Sequence, residues 1–127
     1  MYTDPIADLL VRIKNASRAR KDTVKAPYST KKENILKVLK ARKFIKDFQI
    51  EGKDVEKCLM IEISDDHRDI EMKRISKPGQ RIYVKSTEIK KVNGGMGINI
   101  ISTPKGIISG EEAKKLNVGG EHLCQIY

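Results

Sequence analysis

The spacing of apolar residues changes once along this chain, at an apolar-free run, Ser64-Asp65-Asp66-His67-Arg68-Asp69. Before it, stretches with helical spacing alternate with stretches with strand spacing. After it, strand spacing dominates. A buried helix face needs an apolar residue every three to four positions, and a half-buried strand needs one every two. Both patterns in this order predict an α+β fold in two small subdomains. Residues 1–64 form an N-terminal α/β unit, and residues 65–127 form a mainly β unit with one short helix. A chain of 127 residues buries roughly 60 to 70% of its unfolded surface, enough for a core without disulfides.

The first helix is marked by Asp4 as a cap, Pro5 at the first helical position and Asp8 near the positive end of the dipole. Ile6, Leu9, Leu10 and Ile13 make its apolar stripe. A short strand follows and stops at Pro27. The second helix opens with Thr30 and Glu33 at capping-box spacing and buries Ile35, Leu36, Val38 and Leu39. Its lysines, Lys31 and Lys32 among them, are expected on the exposed side. Two strands then flank a polar turn around Gly52 and Asp54, and Leu59, Ile61 and Ile63 share one face of the second. Beyond residue 69, Pro78-Gly79 is the centre of a turn between two strands. Ser86–Val92 has the composition of a short helix. Ser109 with Glu112 repeats the capping-box spacing, and Asn117 suits a left-handed helix end. Strict alternation in the last strand places His122, Cys124 and Ile126 on one face and Glu121, Leu123 and Gln125 on the other.

Charge narrows the function. The net charge is +9, which favours a polyanionic partner. Residues 1–46 hold 13 basic and 4 acidic side chains, whereas residues 47–127 hold 13 of each. The basic residues of the first third, Arg12, Lys14, Lys31 and Lys32 among them, can track phosphates. Such contacts give affinity and little selectivity. A pair of solvated amphipathic helices is the plainer alternative. Two widely separated cysteines, Cys58 and Cys124, fit a reducing cytosol better than a disulfide scaffold. No apolar run reaches the ~18 residues a membrane helix needs, and the first ten residues lack the basic leader of a signal peptide.

Several site chemistries fail on spacing. Gly95-x-Gly97 begins a dinucleotide fingerprint, but Ile100 stands where the third glycine belongs and a strand follows. His122 and Cys124 could share a metal, yet His67 and Cys58 are not near them at ligand spacing, and a structural zinc needs four ligands. Glu121 beside His122 is no catalytic pair, because strand neighbours point to opposite faces. The acidic residues of the mid-chain run lack a calcium-loop glycine. No cofactor, metal or catalytic residue is therefore expected. A small hydrolase using Glu121, His122 or the carboxylates of the mid-chain run remains the rival in the enzyme class.

One stretch resists a purely structural reading. In Asn99–Ser109, Pro104 and Gly106 are turn residues, but Ser102, Thr103 and Lys105 at the same tip have no evident structural duty. Hydroxyls read base edges and ribose hydroxyls, a lysine supplies a point charge, and a glycine admits a close backbone. An ordinary turn remains possible on these grounds.

Four segments of the chain, DPIADLLVRIKNA, RISKPGQRIYVK, GMGINIISTPKGIIS and NVGGEHLCQIY, resemble in order the signature segments of the eighth protein of the small ribosomal subunit, bacterial type. The resemblance implies a non-enzymatic primary binder of 16S rRNA. It would bind an internal-loop region of the central domain, aid assembly of that domain and, as members of the family can, repress translation of its own operon mRNA. The implied location is the cytoplasmic ribosome, beside small-subunit proteins five and twelve. Outside the ribosome the implied state is a monomer. The matched positions imply RNA contacts by Ser102, Thr103, Lys105 and Gly106, stacking or support by Tyr83, and an acidic site residue, Glu121. Core packing is the alternative for Tyr83. Many relatives carry a third hydroxyl where this chain has Pro104, so that contact is lost here while the loop is stiffened.

Overall fold

A computed structural model describes residues 4–64 and 70–127. Residues 65–69, which include His67 and the carboxylates of the expected linker, lie outside the described residues. The chain forms two compact units, Pro5–Ile70, and Glu71–Tyr127 together with Asp4.

In the first unit, helix α1 spans Pro5–Arg18 and buries Ile6, Leu9, Leu10 and Ile13, with the stripe extended by Ala16 and Ser17. Strand β1 (Thr23–Pro27) ends at its proline, which cannot donate to a ladder. Helix α2 covers Thr30–Ala41. Its cap is Ser29, one residue before the expected Thr30: the Ser29 hydroxyl accepts the Lys32 N–H at 3.2 Å. Glu33 instead accepts from the Tyr28 hydroxyl at 2.8 Å, and that bond holds its carboxyl below the usual range. Ile35, Leu36 and Leu39 are buried, whereas Val38 is only partly so. Strands β2 (Ile45–Glu51) and β3 (Cys58–Ile63) complete an antiparallel sheet of order β1-β3-β2. Leu59, Ile61 and Ile63 are buried along central β3, as period-two spacing requires.

The second unit is an antiparallel sheet with one helix. Its strands are β4 (Met72–Arg74), β5 (Tyr83–Val84), β6 (Ile98–Thr103), β7 (Gly106–Ser109) and β8 (Gly120–Ile126). The order is β4-β8-β6-β7, and β5 also pairs with β8. Helix α3 (Gly110–Leu116) opens on the Ser109 cap and closes at Asn117 in left-handed conformation, both as the sequence indicates. Ile89, Ile101 and Ala113 form a buried cluster with Val84, Ile108 and Val118 against it. The expected helix after residue 85 shrinks to one 3₁₀ turn, Ser86–Glu88, because Ile89 leaves it extended to join that cluster.

Asp4 pairs with Arg74 at 2.9 Å, and both side chains are largely buried. One expectation, alternation in the last strand, is corrected by packing. The last strand does not alternate strictly. Ile100 faces Cys124 but Ile101 faces His122, so Leu123 is an extra residue, a β-bulge. Leu123 and Cys124 are consequently both buried, and His122 no longer shares a face with Cys124.

Candidate nucleic-acid interface

Three of the sequence-marked residues meet on one face of the second sheet. Tyr83 on β5 is paired with Glu121 on β8, and Glu121 is paired with Ser102 on β6. Residues directly opposite in antiparallel strands project to the same side. Tyr83, Glu121 and Ser102 therefore form a row across three strands, and Ile107 of β7 lies beyond Ser102. Gly119 and Gly120 allow this spacing. A Cβ on Gly120 would stand 2.0 Å from the Ser102 carbonyl oxygen, and one on Gly119 would stand 2.4 Å from that of Val84.

Each member of the row is differently presented. Tyr83 is 69% exposed, which rules out core packing and leaves its ring open to a flat partner. The Glu121 carboxylate accepts from the Ser76 hydroxyl and from Arg81 Nη1 at 3.0 Å. The same bond holds the Arg81 guanidinium above its ordinary pKa. Ser76 and Arg81 were not identified from sequence; they sit either side of the Pro-Gly turn, where only the sheet register reveals that they converge on residue 121. Ser102 is partly exposed, and no described residue bonds its hydroxyl.

Thr103, Lys105 and Gly106 form the hairpin tip beside this row. Thr103 pairs with Gly106, so Pro104 and Lys105 are a two-residue loop. Gly106 has φ +111, a conformation side chains disfavour. Thr103 does have a structural duty, contrary to expectation. Its hydroxyl donates to the Gly106 carbonyl at 2.8 Å and accepts the Lys105 N–H at 3.1 Å. Lys105 is exposed.

The basic residues of the first unit divide in two. Lys31 is exposed on α2. Lys32 corrects the expectation of an exposed lysine: it is 5% exposed, and its ammonium donates to the Pro27 carbonyl at 3.2 Å. Burial lowers its pKa. Arg12 is also engaged, with Asp8 at 2.9 Å and with the Lys25 carbonyl at 2.9 Å. Lys25 and Pro27 belong to β1, an edge strand, so these two cations cover outward-facing carbonyls of an open edge. Their spacing in sequence gave no sign of this, because the acceptors are main-chain atoms. Lys14 also has interactions of its own within the chain.

The rival chemistries lose their geometry. His122 bonds Asn99 Oδ1 at 3.0 Å, while Glu121 is held by Ser76 and Arg81. Cys124 is fully buried, and burial pushes its thiol up to about 12; the bulge separates it from His122. No described helix is long and apolar enough to cross a membrane.

Comparison with known proteins gives one consistent family. The family profile described as ribosomal protein S8 matches residues 4–127. The chain is 46% identical over 129 residues to the small ribosomal subunit protein uS8 of Mycoplasmopsis synoviae, with 98% of each chain covered. It is 45% identical over 128 residues to that of Dictyoglomus thermophilum, again with 98% of each covered. It is 44% identical over 134 residues to that of Kosmotoga olearia, with both chains fully covered.

Proposed function

Because the chain belongs to the ribosomal protein S8 family, a structural and non-enzymatic component of the small subunit, we propose that it binds the central domain of 16S rRNA directly and helps that domain assemble. The C-terminal subdomain, from residue 65 onward, is assigned the selective contacts. The observation that carries this reading is the in-register row of Tyr83, Glu121 and Ser102 beside a tip that presents Thr103, Lys105 and Gly106. An exposed aromatic ring can stack on an unpaired base, and a fixed carboxylate can accept from a base amino group. The Ser102 hydroxyl can serve either as donor or as acceptor. Lys31, with help from Lys14, supplies phosphate contacts of lesser selectivity.

The test is binding of the purified chain to a central-domain rRNA fragment and to a helix of the same composition with the internal loop scrambled. The natural fragment is expected to bind more tightly, and Ser102→Ala with Thr103→Ala is expected to erase the difference. Discrimination that survives the double substitution would sink the loop assignment. The same face would take a similar element in the chain's own operon mRNA. Location at the cytoplasmic ribosome, beside proteins five and twelve, with a monomer outside it, completes the proposal. Co-sedimentation with small subunits from lysate tests that part.

A further inference from the structure

Resting on the RNA-binding reading above, we propose that Ser76 is a positioning residue of this face. One buried hydroxyl sets both the direction of the Glu121 carboxylate and the course of the strand that carries Tyr83. Ser76 has 0% of its surface exposed, so it touches no ligand itself. Its hydroxyl donates to Glu121 Oε2 at 2.5 Å and accepts the Ile82 N–H at 3.0 Å. Its own N–H bonds the His122 carbonyl at 3.0 Å. The segment from Ser76 to Ile82 is thus closed end to end, and inside it Lys77 and Gln80 exchange two backbone hydrogen bonds of 2.9 Å.

Both ends of this closed loop converge on one acid. Arg81, near the far end, reaches the same oxygen, Oε2, at 3.0 Å. Two donors on one carboxylate oxygen, one of them charged, fix its direction. Strand β5 is only Tyr83–Val84, so two bonds at Ile82, the residue before Tyr83, help hold Tyr83 opposite Glu121: its N–H donates to the Ser76 hydroxyl, and its carbonyl accepts the His122 N–H at 2.9 Å. A hydroxyl is the group that can donate to the acid and accept from the amide at once. Alanine would leave the Ile82 N–H without its acceptor and Glu121 with one donor fewer.

The experiment is a double-mutant cycle read on RNA selectivity. The full chain, Ser76→Ala, Glu121→Gln and the double variant are each titrated with the central-domain rRNA fragment and with the scrambled helix. Ser76→Ala is expected to weaken cognate binding about tenfold and to leave binding of the scrambled helix unchanged. In the Glu121→Gln background the same substitution should cost far less, because residues acting through one another are not additive. Equal losses in both backgrounds, or parallel losses on both RNAs, would overturn the inference and leave the RNA reading standing. An unsubstituted chain that does not discriminate overturns the RNA reading first, and this inference with it. A measurement that needs no variant is hydrogen exchange at the Ile82 amide. Protection is expected, and exchange at the rate of an open loop would overturn the proposal.

Discussion

At the residue scale, exposure separates side chains that hold the fold from those offered outward. Tyr83 is 69% exposed. Tyr83→Ala should leave thermal unfolding unchanged within about 0.5 kcal/mol while weakening RNA binding by about 1–3 kcal/mol, the worth of one base stacked on an aromatic ring. Thermal melts and titrations on one preparation check both halves. Thr103 should behave otherwise, since its hydroxyl closes the hairpin tip. Thr103→Ala should therefore lower stability by about 1 kcal/mol as well as impair binding. The surplus of polar groups at the tip is legible in the sequence. That one hydroxyl is consumed by the turn is not, because this depends on the register of β6 against β7. His122 adds a pH dependence. Asn99 Nδ2 donates to the Lys90 carbonyl at 2.6 Å, which leaves Asn99 Oδ1 to accept from His122. Burial lowers the His122 pKa below 6.5. The folded chain thus binds this proton less readily than the unfolded chain, so the contribution is present above about pH 6.5 and lost as pH falls through the depressed value. Replacement by Asn should flatten that part of the stability–pH curve in denaturant titrations.

At the scale of the element, the main lesson is that amphipathic spacing places a helix but does not say which of its cations are free. The stripe of α1 and the core residues Ile35, Leu36 and Leu39 of α2 follow from periodicity alone. The roles of Arg12 and Lys32 do not, because their acceptors, the carbonyls of Lys25 and Pro27, become available only when β1 forms a sheet edge. Adjacent lysines on α2 should therefore respond oppositely to substitution. Lys31→Ala should leave stability unchanged and reduce the salt slope of RNA binding by about 1. Lys32→Ala should lower stability, by an amount on the order of 1–2 kcal/mol, with little change in that slope. Equal slope changes for both would mean that Lys32 leaves its site when RNA binds. The bulge at Leu123 was illegible for a similar reason. The adjacent apolar residues Leu123 and Cys124 fit either a strand buried on both faces or a bulge, and only the register shift between Ile100 and Ile101 decides between them. The two capping boxes illustrate both outcomes: Ser109 caps α3 as spacing indicates, whereas Ser29 displaces Thr30 at α2.

At the scale of the whole molecule, the excess charge and the proposed selective contacts belong to different parts of the chain. All of the net +9 lies in residues 1–46, and residues 47–127 are balanced. The row of Tyr83, Glu121 and Ser102 belongs to the balanced part and includes an acid already held by Arg81. Under the proposed function, selection there comes from hydrogen bonds, stacking and shape, which salt screens weakly, while attraction to phosphate depends steeply on salt. Between about 50 and 200 mM salt, the cognate fragment and the scrambled helix should therefore lose affinity along parallel lines of log Kd against log salt. The gap between the lines is the selectivity, and it should be nearly constant. Substituting Lys31 should tilt both lines equally, and substituting Tyr83 or Ser102 should narrow the gap without tilting either. Lines that converge as salt rises would show that ionic contacts carry the choice of RNA. The division of labour would then have to be redrawn, with Lys105 at the hairpin tip as the first cation to test.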